Sequence, residues 1–276
     1  MSELQNKSPN PLRISIISVC DPEDEDKIVF PDFSNQTLPF EQFELIMVNG
    51  TGSPIDSGLD YQGVQVRWIE TTSSSRAHGR KLALEAAQGE LILLWGQDFL
   101  PDPEVLKHHV MFHETHPEKY AAAIGSSAFP ASHSHDPFMR WLDESGQLLG
   151  VQATPDVKSI PDNFFTGAHS SLKKCFIEKI SEDALDLQQH AWDDYELGLK
   201  LFEEGLETCF LPEAIGWHEH KVSLAGREAQ VENCGYGAAH YDARHRKPQP
   251  WHTVAWTPLW RHRVRSFWLL VLSLVF

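Results

Sequence analysis

The sequence is poor in cysteine and in positive charge. Its 276 residues include 4 cysteines, widely spaced and without a C-x-x-C pair. That spacing indicates neither a zinc knuckle nor a disulfide framework and is typical of a reduced, cytoplasmic protein. The 23 basic residues are outnumbered by 39 acidic ones, for a formal net charge of -16. Because phosphate binding needs a basic surface, this charge excludes a general nucleic-acid-binding protein.

Long hydrophobic runs are also missing. Residues 1–11 are polar, and we expect no secretory signal there. The apolar run at residues 267–276 is well short of the roughly 20 residues that span a bilayer as a helix. The segment before it mixes tryptophan with arginine, as at a lipid headgroup interface. Residues 251–276 are therefore interpreted as a peripheral anchor at the inner face of the membrane, as a helix docked on the protein, or as part of a longer hydrophobic segment.

What the sequence does contain is an alternation of strand and helix patterns, with 41% hydrophobic residues to fill a sizeable core. We predict one α/β domain over residues 1–222, with a mainly parallel, Rossmann-like sheet flanked by helices, and a C-terminal helical region over residues 223–276. The predicted strands are residues 12–20, 43–48, 64–69, 91–95, 208–211 and 215–217. The predicted helices are residues 74–87, 102–113 with Asp102 as N-cap, and 195–204, and residues 128–161 are expected to form an irregular lid or acceptor loop.

Polar residues that could carry chemistry follow several of these elements. The turns at residues 49–53 (NGTGS) and 96–98 (GQD) each follow a strand directly. Ligands of such sheets bind beyond the carboxyl ends of the strands, so both turns should lie at one edge. Asp193 and Asp194 open an amphipathic helix, whose dipole favours negative charge at that end. His218 follows the last predicted strand, and the set predicts a ligand site.

In chain order, these segments resemble the inverting family 2 glycosyltransferases of the GT-A fold, over roughly residues 12–220. The resembling segments are residues 49–53 for D-D-G-S, 79–90 for the A-R-N-x-G-x-x-x-A-x-G-E helix, 96–98 for D-x-D, 167–174 for G-x-x-x-S-x-x-R, 193–200 for the E-D pair with its E-L-x-x-R/K continuation, and 212–218 for P-x-A-x-x-x-H. The resemblance implies a hexosyltransferase-type enzyme that moves a sugar from a nucleotide diphosphate to an acceptor hydroxyl with inversion.

The resemblance assigns the acid-base chemistry to the carboxylate pair. Asp194 would be the general base that takes the proton of the acceptor hydroxyl as the oxygen attacks the anomeric carbon. Asp193 would contact the acceptor or position the helix. His169, where the family has Asn, and Trp192, just before the pair, would line the donor sugar or the acceptor. The acceptor itself would be a glycan or a lipid-linked molecule.

A donor site is also implied, for a nucleotide-diphosphate sugar. Its candidate residues are Asn49, Gly50, Ser53, Arg80, Gln97 and Asp98. A divalent ion, Mn²⁺ or Mg²⁺, would neutralise the leaving diphosphate as a Lewis acid, and Asp98 and His218 would hold it. His220, two residues on, points the same way in an extended strand and could substitute for His218. Gly96 replaces the first Asp of D-x-D, and this change weakens the predicted metal binding.

Departures from the family motifs support a second interpretation, and they are Asn49, Lys81, Gly96 and His169. On this interpretation, a catalytically degenerate fold of the same kind binds a nucleotide or glycan, or acts as a scaffold, without turnover. A third interpretation, a nucleotidyltransferase on a related sheet, lacks the glycine-rich basic signature expected of that class. Metal-dependent binding of a nucleoside diphosphate separates the enzyme from the scaffold.

Overall fold

The computed structural model describes residues 12–20, 30–55, 58, 60–73, 75–133, 136–145, 165–179 and 193–245. The predictions for residues 1–11, for Trp192 and for the tail at 246–276 lie outside these ranges, as does the second half of the excursion expected at 128–161.

Within the described ranges the chain forms one sheet of eight strands with helices on both faces. The strands are β1 (Ile14–Cys20), β2 (Phe43–Asn49), β3 (Gln65–Glu70), β4 (Leu91–Trp95), β5 (Phe99–Pro101), β6 (Ala121–Ala128), β7 (His169–Lys173) and β8 (Glu207–His218). The helices are α1 (Arg76–Ala86), α2 (Val105–Thr115), α3 (Pro137–Ser145), α4 (Lys174–Ile177), α5 (Asp193–Glu203) and α6 (Leu224–His245).

The strand order is β3-β2-β1-β4-β7-β6-β8-β5. The first four strands in that order run parallel, β7 is antiparallel to both β4 and β6, β8 is parallel to β6, and β5 is antiparallel to β8. The predicted mixed α/β fold, with its mainly parallel sheet, is confirmed. In the parallel half, the carboxyl ends of the strands meet at one edge of the sheet.

Both faces of the sheet are covered, and in the central strand β4 successive residues are apolar and point to opposite sides. In β4, Ile92 and Leu94 join a cluster completed by α1 and α5. Leu93 and Trp95 point the other way and join a cluster completed by α2. Burial on both sides fixes the register, since a slip of one residue would exchange the two faces.

The predicted bounds of the first five elements agree with the structure to within two residues. Asp102 is not the N-cap of α2, because the helix begins at Val105. Asp102 instead closes the preceding turn: its Oδ1 accepts from the Glu104 N–H at 3.2 Å and its carbonyl accepts from the Val105 N–H at 3.0 Å. The two strands predicted near the end are one strand, β8, with a register irregularity at Pro212. Part of the expected irregular excursion is the helix α3.

The longest helix of the described residues, α6, has 22 residues and lies in the region predicted to be helical. Among the helices of the described ranges, none combines the length and the hydropathy needed to cross a bilayer. The proposed division into residues 1–222 and 223–276 stays a prediction.

Candidate active site

The candidate residues gather where the parallel strands end. In the β1–β2 ladder Cys20 pairs with Asn49, and in the β1–β4 ladder Ile17 pairs with Leu94. The turns after β2 and β4 therefore leave the sheet at the same edge, as predicted. The antiparallel strand β7 starts there as well, because His169 pairs with Trp95 at the end of β4.

The turn after β2 is built by the side chain of Asn49. Its Nδ2 donates to the Ser53 carbonyl at 2.8 Å and to Glu70 Oε2 at 2.7 Å. Its Oδ1 accepts from Thr51 N–H at 3.0 Å and from Thr51 Oγ1 at 2.8 Å. The amide of Asn49 is fully buried and fully engaged, so its observed role is to shape the turn.

Gly50 and Ser53 of the same turn differ in what they offer a ligand. Gly50 N–H donates to the Cys20 carbonyl at 3.0 Å, and a Cβ at this position would lie 3.1 Å from the Cys20 and Ser73 carbonyl oxygens. Position 50 therefore fits glycine because the backbones approach closely. Ser53 is exposed, so of the three predicted donor residues in this turn it is the one a ligand reaches directly.

Arg80, predicted to bind the donor, is engaged with both carboxylates of the pair. Ser75 caps α1 by accepting from the His78 N–H at 3.3 Å, and Arg80 lies in the second turn of that helix. Arg80 Nη1 donates to Asp193 Oδ2 at 2.6 Å, and Nη2 donates to Asp194 Oδ1. The Arg80 and Asp193 side chains are only 8% and 3% exposed, whereas that of Asp194 is 31% exposed.

The second oxygen of Asp194 is held by the backbone. Gly167 N–H donates to Asp194 Oδ2 at 2.9 Å, and a Cβ at position 167 would run into Asp194 Oδ1 and Arg80 Nη2. Glycine at this position thus allows the backbone to reach the carboxylate. Both oxygens of Asp194 are oriented, and each retains a lone pair for another hydrogen bond.

The two carboxylates have opposite protonation tendencies. Burial raises the pKa of Asp193, and the neighbouring Asp194 carboxylate adds to this effect against the opposing charge of Arg80. Burial acts in the same direction on Asp194, but there Arg80, Arg76 and the Gly167 N–H outweigh it and hold the pKa of Asp194 below its usual range. Asp194 is therefore the ionised, partly exposed member of the pair.

The second group at this edge is formed by Asp98, His218 and His220. His218 Nε2 lies 2.9 Å and His220 Nδ1 3.5 Å from Asp98 Oδ2. Burial alone would raise the pKa of Asp98, yet hydrogen bonds from His218 and His220 hold that pKa well below its usual range. The local fold fixes this group, since Phe99 of β5 pairs with His218 of β8.

This group has the chemistry of a metal site. One ligand atom from each of the three side chains can be chosen so that all lie within 4.8 Å of one another. Nδ1 of His218 is buried and has no hydrogen-bond partner among the described residues, and Nδ1 of His220 faces Asp98 Oδ2. A carboxylate with two neutral imidazoles is a donor set that divalent cations accept. The residues present therefore fit a metal ion, although Gly96 supplies no ligand.

Gly96 has a steric reason to lack a side chain. A Cβ there would lie 2.7 Å from Phe99 Cδ2 and 2.9 Å from Asp98 Oδ1. On the far side of the same ring, a Cβ at Gly216 would lie 2.8 Å from Phe99 Cδ1. Phe99 thus lies between two glycines, in the space that a carboxylate side chain from position 96 would cross.

The two groups are connected through two adjacent residues. Gly167 donates to Asp194, and the carbonyl of Ala168 accepts from the Gly96 N–H at 2.8 Å. Gly96 opens the turn that carries Asp98. The segment 167–168 therefore fixes the position of the Asp194 carboxylate relative to the Asp98 turn.

His169, predicted to line the donor sugar or the acceptor, is buried in the structure. Its ring is fully buried, edge-on to Trp95 with ring centroids 4.6 Å apart, and lies inside the sheet–α2 layer. His169 Nδ1 lies 3.1 Å from the Ser126 carbonyl, and its Nε2 lies 3.1 Å from His109 Nε2. The structure places His169 in the interior and not in the wall of an open cleft. Gln97 is also buried.

Buried histidines continue this hydrogen-bonded chain towards the surface. His109 Nδ1 lies 2.8 Å from Ser171 Oγ, His113 Nε2 lies 2.9 Å from the same oxygen, and Lys173 Nζ lies 3.3 Å from His113 Nδ1. At one end of this chain Lys173 can only donate, so His113 accepts at Nδ1 and carries its proton on Nε2. At the other end the Ser126 carbonyl can only accept, so His169 carries its proton on Nδ1. His109 then donates from Nε2 to His169 and accepts at Nδ1 from Ser171. Burial lowers the pKa of His113 and of His169 to about 3, and that of His109 well below its usual value. All three rings are neutral.

Sequence reasoning missed several residues of the site. The contact of Arg80 with the carboxylates has no local signal, because 113 and 114 residues separate the partners. Gly167 as a backbone donor and Phe99 as a filler were not predicted either. His220 had a signal, its spacing of two from His218, and the structure brings it to Asp98.

No protein-family model and no curated protein matches the chain. Residues 1–349 of S. aureus TarS match with a TM-score of 0.53 and 14% identity, over 75% of this chain and 60% of that one. The same fragment in complex with UDP-GlcNAc matches with a TM-score of 0.54, and in complex with UDP with 0.50, each at 12% identity over 80% of this chain and 64% of that one. This chain thus spans about three fifths of those TarS chains. The Rossmann-like α/β fold of this chain is thus similar to that of TarS.

Proposed function

We propose that this protein is an inverting glycosyltransferase, which transfers a sugar from a nucleotide diphosphate to an acceptor hydroxyl. The observation that carries the proposal is the environment of Asp194. Its carboxylate is ionised and 31% exposed, and Arg80 and Gly167 orient it beside the turn that carries Asp98. The complexes of TarS with UDP-GlcNAc and with UDP support the same class of donor for this fold.

Asp194 acts as the general base. A lone pair of its carboxylate accepts the proton of the acceptor hydroxyl while that oxygen forms a bond to the anomeric carbon. The bond from the anomeric carbon to the diphosphate oxygen breaks, and the nucleoside diphosphate leaves from the opposite face. Arg80 and Gly167 hold the carboxylate in place for that proton, and Asp193 anchors Arg80.

The donor lies along the sheet edge, with its nucleotide over the turn at residues 49–53 and its diphosphate at Asp98 and His218. Ser53 and the backbone of the turn contact the nucleotide, and Asn49 and Gly50 keep the turn in shape. A divalent ion held by Asp98 and His218 would supply positive charge opposite the leaving diphosphate. The acceptor is a glycan or a lipid-linked molecule, reached at a membrane surface through residues 251–276.

Release of nucleoside diphosphate tests the proposal. The purified chain is incubated with divalent metal and a panel of nucleotide sugars, with and without candidate acceptors. Asp194→Asn should lower the rate about 100-fold or more, as expected for loss of a general base. Asp60→Asn, at an exposed carboxylate, is the control and should keep the wild-type rate. Wild-type turnover in the Asp194→Asn protein would sink the mechanism.

A second function, a binding protein without turnover, is favoured by one observation. Arg80 is committed to the carboxylates and the Asn49 amide to its turn, so neither is available to the donor in this arrangement. Calorimetry with UDP in the presence and absence of Mn²⁺ separates the two functions. Metal-dependent UDP binding supports the enzyme, and metal-independent binding without turnover supports the binding protein.

A further inference from the structure

His220 contacts both of the proposed metal ligands, Asp98 and His218, but has no role at the metal in the proposed function. Its ring lies 4.4 Å from that of His218, centroid to centroid, and its Nδ1 lies 3.5 Å from Asp98 Oδ2. Its side chain is 22% exposed, whereas that of His218 is 4% exposed. The Nδ1 atom of His218 is buried and has no hydrogen-bond partner among the described residues.

The surroundings of His218 fix the direction from which further ligands can come. Phe99 and Phe129 contact its ring edge-on, with centroids 5.3 and 5.1 Å away. Phe99 also blocks position 96, where a Cβ would lie 2.7 Å from its ring. A second carboxylate therefore cannot reach the group from position 96. His220 supplies the third ligand beside Asp98 and His218.

We propose that Asp98, His218 and His220 together form a three-ligand metal site that binds first-row transition dications in preference to Mg²⁺. Mg²⁺ favours an octahedral shell of oxygen atoms, whereas imidazole nitrogen favours Co²⁺, Ni²⁺ and Zn²⁺. Two of the three donors here are imidazoles. Affinity should therefore rise in the order Mg²⁺, Mn²⁺, Co²⁺, Zn²⁺.

Three protein ligands also suit the proposed reaction. A site that leaves coordination positions open can accept oxygen atoms of a diphosphate, as catalytic metal sites do. This use of the site rests on the proposed function. The metal preference itself depends only on the side chains of this chain, so it can be measured without donor, acceptor or turnover.

Calorimetry of the chelator-treated full chain with MgCl₂, MnCl₂ and CoCl₂ tests the site. One equivalent of Co²⁺ or Mn²⁺ should bind, and the affinity for Mg²⁺ should be at least about 10-fold lower. His220→Ala should lower the affinity for Co²⁺ and for Mn²⁺ at least about 10-fold. The visible absorption of bound Co²⁺ should change in the same variant. His108→Ala, on the outer side of α2, is the matched control and should bind as the wild type does.

Two results would overturn the site: equal affinity for Mg²⁺ and Mn²⁺ in the wild type, or unchanged Co²⁺ affinity in folded His220→Ala and His220→Asn proteins. The Asn variant and a thermal melt guard against a loss caused by misfolding. Selective metal binding in a protein that transfers no sugar supports the site and rejects the proposed function. Sugar transfer by a protein that binds Mg²⁺ more tightly than Mn²⁺ and Co²⁺ supports the proposed function and rejects the three-ligand site.

Discussion

Arg80 and Asp194 stand 114 residues apart in the sequence, and the guanidinium of Arg80 donates from Nη2 to Asp194 Oδ1. Its Nη1 donates to Asp193 Oδ2 at 2.6 Å, so one buried cation serves two carboxylates. A guanidinium can do this because its donors form a rigid planar fork. The orientation of the proposed base is therefore set by α1, a helix far from it in the chain.

Replacement of Arg80 should change both stability and pH dependence. Arg80→Gln leaves Asp193 buried without its partner and should cost about 3 kcal/mol or more in the free energy of unfolding. Because the cation lowers the pKa of Asp194, its loss should move the acid limb of kcat/KM to higher pH. Urea unfolding and a pH–rate profile measure the two effects.

Arg13→Gln is the matched control for Arg80. Arg13 pairs with Glu114 at 2.7 Å, but the two side chains are 33% and 50% exposed. Such a surface pair contributes at most about 1 kcal/mol. An Arg80→Gln protein that keeps the wild-type acid limb would show that Arg80 does not tune Asp194.

Gly167→Ala should impair transfer by displacing the base. The added Cβ meets Asp194 Oδ1 and Arg80 Nη2, so either the carboxylate or the backbone donor has to move. Since misplacement of a catalytic group by about 1 Å costs roughly 100-fold in rate, we expect a loss of this order in kcat. Gly235→Ala is the control, because a Cβ there meets nothing within 4 Å. Equal kcat values in the two variants would contradict the role given to Gly167.

The buried histidines should make the protein acid-sensitive. The pKa values of His113 and His169 are lowered to about 3 by burial, and that of His109 lies well below its usual value. In the unfolded chain each ring takes up a proton near pH 6.5, so stability is complete above that pH and is lost as the pH falls towards 3. Each ring contributes up to about 1.4 kcal/mol per pH unit to this loss.

Urea unfolding between pH 7.5 and 5 measures this dependence. His113→Gln removes one of the neutral rings, so its free energy of unfolding should fall less steeply with pH than that of the wild type. His108→Gln changes a histidine outside the buried chain and should keep the wild-type slope. Identical slopes in all three proteins would rule out the buried rings as the cause.

Glu44 should matter for stability alone. It is fully buried near the start of β2, where Oε1 accepts from Ser15 Oγ at 2.7 Å and from the Gln88 N–H at 2.8 Å. Glu44→Ala leaves these two donors without their acceptor and removes one of the two partners of Arg67, so it should cost about 1–3 kcal/mol. In the folded protein kcat should be unchanged, because the site lies at the opposite edge of the sheet. A large change in kcat at a temperature where the variant is folded would contradict this separation.

Much of the fold could be predicted because its signals are local. The strand β4 is a continuous apolar run, and apolar residues predominate in β1 and β2, as is typical of strands buried on both faces. β6 carries no such signal, since small residues such as alanine, glycine and serine make up most of it. β8 was predicted as two strands, and in the structure Pro212 lies in the register irregularity between Leu211 and Ile215 of one strand.

The candidate site could be predicted only in part. The positions of Asp98 and His218 follow from strand order, since ligands of α/β sheets gather at the carboxyl ends. The partners of Arg80 and the burial of His169 depend on how α1, α2 and α5 pack on the sheet. No local pattern reports that packing, so the contacts of these two residues inside the protein could not be predicted, and their ligand contacts stay predictions.

The position of Phe99 between Gly96 and Gly216 has a consequence for how this protein can evolve. A single mutation that places aspartate at position 96 would bring its Cβ to 2.7 Å from the Phe99 ring. A two-carboxylate turn at this position therefore needs a smaller residue at position 99. Among descendants of this sequence, positions 96 and 99 should change together, and intermediates with only the first change should be selected against.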